Sequence, residues 1–327
     1  MKVSVIIPTY NRGYIIRDAI DSVLQQTYND CEILVIDDGS TDNTQELVRA
    51  CCSRNLKYLR HESNRGCSAA YNTGISAATG QLIAFLDSDD AWKPDYLARQ
   101  ARLFVHHPEV DVVFTDTEIR QNGAVVPSLM VFMRVFPKLL GQRNGSEYVL
   151  TSREMYLCLL EEVPIKPSAC VLRREILSRA NGFDEAWPSG TDWDLFLRLS
   201  HFAIFGYIDS PLVVQRRTAD ATHQKFVEQD KLFLLSVFAR ERDHLDRDSQ
   251  GLRAVRRGLA GLFNSLGWAY MEREEWGKAV KVYFEGFRQT FNLVLLRKMF
   301  AAPVHAARKL LVRKSKHETA PSADGAY

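Results

Sequence analysis

The chain is predicted to be an α/β protein, doubly wound around a mostly parallel sheet, with an α-helical C-terminal extension. Three observations predict it. Up to about residue 115, short runs rich in Val and Ile alternate with longer segments of helical period. Three of those runs end in polar turns that carry acidic or aromatic residues. Beyond about residue 225, strand-like alternation disappears and only helical spacing is left.

The elements follow in order. Val3 to Ile7, Glu32 to Ile36, Lys57 to Leu59, Leu82 to Leu86 and Val110 to Phe114 read as strands. Between the first two, Ala19, Ile20, Val23 and Leu24 recur at helical spacing; after the second, Ser40-Thr41-Asp42 can cap a helix through Val48. From 120 to 150, Pro127, Pro137, Gly141 and Gly145 break the pattern, predicting an irregular or extended connection that could move over a site. Structure resumes over 152 to 215, with a helix from Thr191 to Ser200 whose Leu195, Phe196 and Leu199 form the buried face. Leu262 to Phe287, with Leu266-Gly267, Tyr270, Ala279, Tyr283 and Phe284, resembles one tetratricopeptide helix pair, a unit too short to form an array. Arg297 to Lys316 sets Leu310, Leu311 and Val312 among Lys298, Arg308, Lys309, Arg313, Lys314 and Lys316, as a basic amphipathic helix does. The expected division is an α/β domain over 1–220 (halves about 1–115 and 116–220), a helical extension over 221–316 and a disordered tail over 317–327.

The 327 residues suffice for one large core with an appendage. With 42 basic and 40 acidic residues, the chain has no field that would recruit nucleic acid. Its six cysteines, at 31, 51, 52, 67, 158 and 170, show neither a C-x-x-C pair nor zinc-ligand spacing, which fits a reducing compartment. The apolar run before Pro8 is too short for a signal peptide, and no uncharged stretch reaches the ~18 residues of a membrane span. A cytoplasmic protein is expected, or one peripheral at the inner face of the cell membrane.

The sharpest chemical feature is Asp87-Ser88-Asp89-Asp90, directly after the fourth run. In open α/β sheets, ligands bind beyond the carboxyl ends of strands. Carboxylates this close repel one another, and a divalent cation with hard oxygen ligands, Mg2+ or Mn2+, resolves the repulsion. The plainer alternative is that Ser88 or Asp89 caps a helix starting near Pro94. A second turn, Asp37-Asp38-Gly39-Ser40-Thr41-Asp42, could contact a ribose or a base through a carboxylate, or serve only as a cap. In the first turn, Pro8-Thr9-Tyr10-Asn11-Arg12, Tyr10 can stack on a base and Arg12 suits phosphate. All three turns fall at one edge of the inferred sheet, a coincidence that capping alone does not explain.

The segments VSVIIPTYNR (3–12), ILVIDDGSTDNT (33–44), NRGCSAAYNTGI (64–75), LIAFLDSDDAW (82–92), PSACVLRREIL (167–177), NGFDE (181–185) and SGTDWDLFLRLS (189–200) resemble family 2 glycosyltransferases over roughly residues 1 to 217. The resemblance implies an inverting enzyme of the GT-A type. It would take a nucleotide-sugar donor, UDP first and TDP next, and a glycan or lipid-linked acceptor. Pro8, Thr9, Tyr10 and Arg12 would then line the donor pocket, Asp38 would contact base or ribose, and Arg65 would approach the nucleotide. Asp87, Ser88 and Asp89 would also face the donor, with Asp89 and Asp90 as metal ligands. Asp192 matches the family's general base; chemistry also favours a carboxylate that can take the proton of an attacking hydroxyl. Alone, it would read as an acidic residue favoured at a helix N-terminus. Asp194 fits that role better, and Trp193 either shapes the acceptor pocket or packs. Many relatives carry Tyr-Arg-x-His near the domain end. Here Gln215-Arg216-Arg217-Thr218 stands instead, and His223 could substitute as a metal ligand or be a surface or packing residue, as a lone histidine more often is.

Two other functions compete. A sugar nucleotidyltransferase would also use acidic strand ends, but no Gly-rich loop with a following Lys is present. An inactive sugar-nucleotide binder would not need Asp192. The basic C-terminal helix offers a peripheral membrane contact, or packs as a helix with a solvated basic face.

Overall fold

The computed structural model describes residues 1–51, 53–121, 124–141, 145–187, 190–216, 227–245 and 248–318. The chain divides into two compact units, Met1–Val237 and Phe238–Tyr327.

The first unit begins as alternating strands and helices: β1 (Val3–Thr9), α1 (Ile16–Leu24), β2 (Cys31–Asp37), α2 (Thr44–Arg49), β3 (Leu56–Arg60), α3 (Cys67–Ala77) and β4 (Leu82–Phe85). These strands lie parallel in the order β3-β2-β1-β4. Both faces are covered, because side chains alternate along a strand. Val3, Val5 and Ile7 of β1 pack with Ile16, Ala19, Ile20 and Val23 of α1. On the other face, Ile6 meets α3, where a Cβ on Gly74 would come within 2.3 Å of Ile6 Cγ2. That close approach requires glycine, and the sheet is doubly wound as the sequence predicts.

Beyond β4 come β5 (Ala91–Trp92), α4 (Tyr96–His106), β6 (Val112–Gln121), β7 (Ala124–Val126), α5 (Phe136–Leu140), β8 (Glu147–Leu150), α6 (Ser152–Leu159), β9 (Cys170–Arg173), α7 (Arg174–Arg179), α8 (Thr191–Ser200) and β10 (Phe205–Arg216). Here the sheet turns mixed. β9 inserts antiparallel between β4 and β6, while β10 runs parallel to β6 and antiparallel to β5 and β8. The connection expected over 120 to 150 therefore holds short elements that Pro and Gly had hidden. β6 also runs seven residues past the predicted run, from Thr115 to Gln121. α8 has the predicted bounds.

A last helix, α9 (Val227–His244), gives its first turns to this unit. The second unit carries α10 (Ser249–Glu272), α11 (Trp276–Thr290) and α12 (Leu293–Glu318). The predicted helix pair is present as α10 and α11, joined where a Cβ on Gly267 would lie 2.3 Å from the Tyr283 ring. Among the described residues no helix is long and apolar enough to cross a membrane. His223 and residues 319–327 of the expected tail lie outside the described residues.

Candidate active site

In the order β3-β2-β1-β4 the winding reverses between β1 and β4, so the crevice beyond their carboxyl ends is where an open α/β sheet binds ligands. The first and fourth acidic or aromatic turns flank that crevice. Pro8 is buried inside β1 opposite Ile36, so it supports the pocket rather than facing into it. Thr9 follows, buried, and its hydroxyl has no hydrogen-bond partner among the described residues. Such a group costs roughly 1–3 kcal/mol unless something polar meets it. Tyr10 is exposed at the strand end. Arg12 lies against the fourth turn, its guanidinium 3.7 Å from Asp89 and 2.6 Å from the Tyr14 hydroxyl.

The second turn is mostly framework. Asn11, at φ 53, accepts from the Thr41 amide at 2.7 Å and donates its own amide to Ser40 Oγ at 2.8 Å, stitching the first two turns together. Asp42 accepts from the amides of Gly13 and Thr44, but the N-cap of α2 is Asn43, one residue beyond the predicted Ser40-Thr41-Asp42, and it makes no side-chain cap bond. Asp37 is buried, taking bonds from the Ser40 amide and the Tyr58 hydroxyl. Asp38 accepts from His61 Nδ1 at 2.7 Å and from the amides of Arg65 and Gly66 at 2.9 and 2.8 Å. Its carboxylate thus fixes the loop that starts α3, and one of its roughly four acceptor positions stays open. The Arg65 side chain reaches Glu185 at 3.1 Å.

The fourth turn is not a helix cap. β5 stands between it and α4, which begins only at Tyr96. Ser88 is buried in the turn. Asp87 accepts from the Tyr71 hydroxyl, and its amide donates to Ser168 Oγ at 3.0 Å. The Tyr71 ring is held by Phe85, edge-on at 4.9 Å, and Phe183, stacked at 4.7 Å. Burial first, then the Asp89 charge, pushes the Asp87 carboxyl up to about 6. Asp90 is buried with its Oδ1 3.3 Å from the Arg216 amide, and burial with the charges of Asp87 and Asp89 raises it well above the carboxylate range. Nothing in the sequence assigned roles to Tyr71, Ser168 or His61, although Tyr71 and Ser168 stand inside the quoted blocks.

α8 brings in a third part of the chain. Gly190 precedes it at φ 76, and Ser68 and Thr191 share a hydrogen bond of 2.8 Å, setting the starts of α3 and α8 side by side. Asp192 lies in the first turn of α8. Asp38, Asp87 and Asp192 all act electrostatically on Cys67, the first residue of α3, which is exposed. Asp38 and Asp192, more than 150 residues apart in the chain, thus share one electrostatic neighbourhood. Trp193 is a packing residue, its indole donating to the Leu159 carbonyl at 2.7 Å. Asp194 pairs with Arg198 at 2.8 Å, which also donates to the carbonyls of Ala180 and Gly182.

The donor set suits a hard divalent cation. It is all oxygen, and burial, followed by the charges of the neighbouring aspartates, raises the Asp87 and Asp90 carboxyls. Among the described residues no three Asp, Glu, His or Cys side chains close on a metal by themselves.

The model of the family described as glycosyl transferase family 2 matches residues 4–179. The chain belongs to this family. A UDP-Glc:alpha-D-GlcNAc-diphosphoundecaprenol beta-1,3-glucosyltransferase of Escherichia coli, WfgD, is 37% identical over 139 residues, covering 42% of this chain and 54% of that protein. An uncharacterized glycosyltransferase of Rickettsia conorii is 41% identical over 215 residues, 64% of this chain and 32% of that one. The chain thus spans about half or less of the length of these curated relatives. Among solved structures, S. aureus TarS (residues 1–349) in complex with UDP-GlcNAc gives a TM-score of 0.69 at 19% identity over 94% of this chain and 88% of that one. A Pyrobaculum calidifontis mannosyltransferase with GDP-Man and Mn2+ gives 0.55 at 21% identity, over 95% and 87%. These two share the GT-A fold seen here.

Proposed function

We propose that this family 2 enzyme transfers a sugar with inversion from a nucleoside diphosphate donor, UDP-linked in the first instance, to a hydroxyl of a glycan or lipid-linked glycan. One observation carries the reading: at the carboxyl edge of the sheet, the hydrogen bond between Ser68 and Thr191 sets the start of α8, with Asp192 in its first turn, beside the start of α3, whose loop Asp38 fixes. The UDP-GlcNAc bound to TarS, and the UDP-Glc donor and diphosphoundecaprenol-linked acceptor of the Escherichia coli relative, lend support to a UDP-sugar and a lipid-linked acceptor.

The unpartnered Thr9 hydroxyl and the exposed Tyr10 ring receive the nucleoside, and the open acceptor position of Asp38 meets base or ribose. Arg65 and Arg12 lie where the phosphates arrive. Asp87, Asp89 and Asp90 would hold Mg2+ or Mn2+, which when bound supplies charge stabilisation for the departing diphosphate. Asp192 accepts the proton of the acceptor hydroxyl as that oxygen attacks the anomeric carbon from the face opposite the leaving group. Asp194 cannot share this work, because Arg198 holds it.

The test is Asp192→Asn, assayed for transfer and for donor binding. Transfer should fall by roughly two to four orders of magnitude while the donor still binds. Near-normal transfer would move the base elsewhere.

A further inference from the structure

We propose that the outer face of α12, together with Phe291 just before its first turn, is a docking surface for an anionic lipid bilayer. The face belongs to the second unit and takes no part in the proposed transfer, so vesicle binding tests it without any turnover.

α12 presents apolar side chains on two opposite sides. Leu295 and Ala302, seven residues apart, share one side of the helix, and both are buried. This side is seated on the other helices of the unit: a Cβ on Gly286 of α11 would stand 2.8 Å from Leu295 Cδ1, and Lys298 donates to Asn264 Oδ1 of α10 at 2.6 Å. The opposite side is the stripe of Leu293, Arg297, Phe300 and Val304, spaced by three and four residues, with Val294 next to it. Leu293, Val294, Phe300, Val304 and Phe291 are between 53% and 70% exposed. Phe291 closes α11 in the left-handed region at φ 54, a place where glycine or asparagine ordinarily stands, so the fold by itself does not ask for an exposed ring there.

Large apolar side chains left open to water in one short stretch mark an interaction site. Charge selects what occupies it. α12 carries seven Lys and Arg residues against one acidic residue, Glu318, and among the described side chains its outer face holds Arg297 and no carboxylate. Glu285 of α11 is already paired with Arg288 at 2.6 Å. A second copy seated face to face would bring two such helices together, and their like charges oppose it. An anionic bilayer satisfies both features at once: the rings and aliphatic chains enter the boundary of its acyl region while the basic residues stay among the headgroups. The chain then lies on the bilayer, in keeping with the want of any described helix long and apolar enough to cross it.

The experiment is co-sedimentation of the full-length protein with vesicles of phosphatidylcholine alone, and of phosphatidylcholine with about one-third phosphatidylglycerol. Wild type is compared with Phe300→Leu and with the double variant Phe291→Asn, Phe300→Ser. Both positions are exposed and asparagine suits the left-handed turn, so the double variant should keep the wild-type melting temperature. Wild type should bind the anionic vesicles roughly tenfold more tightly than the neutral ones, and the double variant should lose roughly tenfold on the anionic ones. Phe300→Leu should stay within about threefold of wild type, which separates lost insertion from lost fold. Wild type that remains in solution, or binds both kinds of vesicle alike, overturns the proposal. So does a folded double variant that binds as wild type does, because charge alone would then hold the chain. Wild type that ignores vesicles but sediments as a dimer, which the double variant breaks, would give the face to a second copy instead.

Discussion

Tyr71 shows how one hydroxyl organises the acidic turn. Its ring is fixed between Phe85 and Phe183, and its hydroxyl is spent on Asp87, whose backbone is tied in turn to Ser168. Residues that orient a metal-binding carboxylate typically cost 10- to 100-fold when removed. Tyr71→Phe should therefore lower turnover by roughly that factor and raise the Mn2+ concentration needed for half activity, with UDP affinity within about threefold. Full turnover at unchanged metal requirement would mean that Asp87 needs no such hold. The same scale explains Gly182: at φ 63, its Cβ position lies 2.5 Å from Asn72 Oδ1. Asn72 uses that oxygen to accept from the Phe183 amide, so a side chain there would push away the ring that clamps Tyr71.

Among the elements, the parallel strands are bound together near their amino ends by Glu32 of β2. This carboxylate is 4% exposed, and accepts from Ser4 Oγ on β1 at 2.7 Å, from the Thr79 amide and hydroxyl at 2.8 and 2.6 Å, and from Lys57 on β3 at 3.1 Å. Burial by itself raises its pKa, but the bonds from Thr79, Ser4 and Lys57 win and hold it at about 2, against 4.5 ordinarily. Because the folded value is the lower one, the stabilisation is complete above about pH 4.5 and is lost as pH falls toward 2. Its size at neutral pH is about 2 to 3 kcal/mol, carried mainly by the buried Ser4 and the two short bonds from Thr79 rather than by the exposed Lys57. Urea unfolding of Glu32→Gln against wild type should show that gap at pH 7 and its progressive closure between pH 4.5 and 2. A gap independent of pH would place the stabilisation in packing instead.

At the scale of the molecule, the candidate site lies wholly within Met1–Val237. Binding there stabilises the folded chain by mass action, ~2.7 kcal/mol at a hundred times the dissociation constant, which moves the melting temperature by a few degrees for a chain of this size. UDP with Mn2+ should give that shift, and EDTA should remove most of it. A shift that survives EDTA in full would separate nucleotide binding from the acidic turn. The net charge of +2 adds no long-range attraction for the donor, so affinity has to come from the site itself.

The sequence by itself determined the parallel strands, the doubly wound class, α8 and the helix pair of the extension, because hydrophobic period and turn residues are local signals. It also placed three polar turns at one edge, since strands that alternate with helices must run parallel. Tertiary structure decided what those turns do. Asp37, Asp38 and Asp42 look alike in the sequence, yet only contacts from Tyr58, His61 and Gly13, distant in the chain, give each its task. β9 was legible as an apolar block but not as the antiparallel strand that carries Ser168 to Asp87, because pairing across more than 80 residues leaves no periodic trace. The meeting of the starts of α3 and α8 through Ser68 and Thr191 belongs to the same class, being long-range packing that no local pattern encodes.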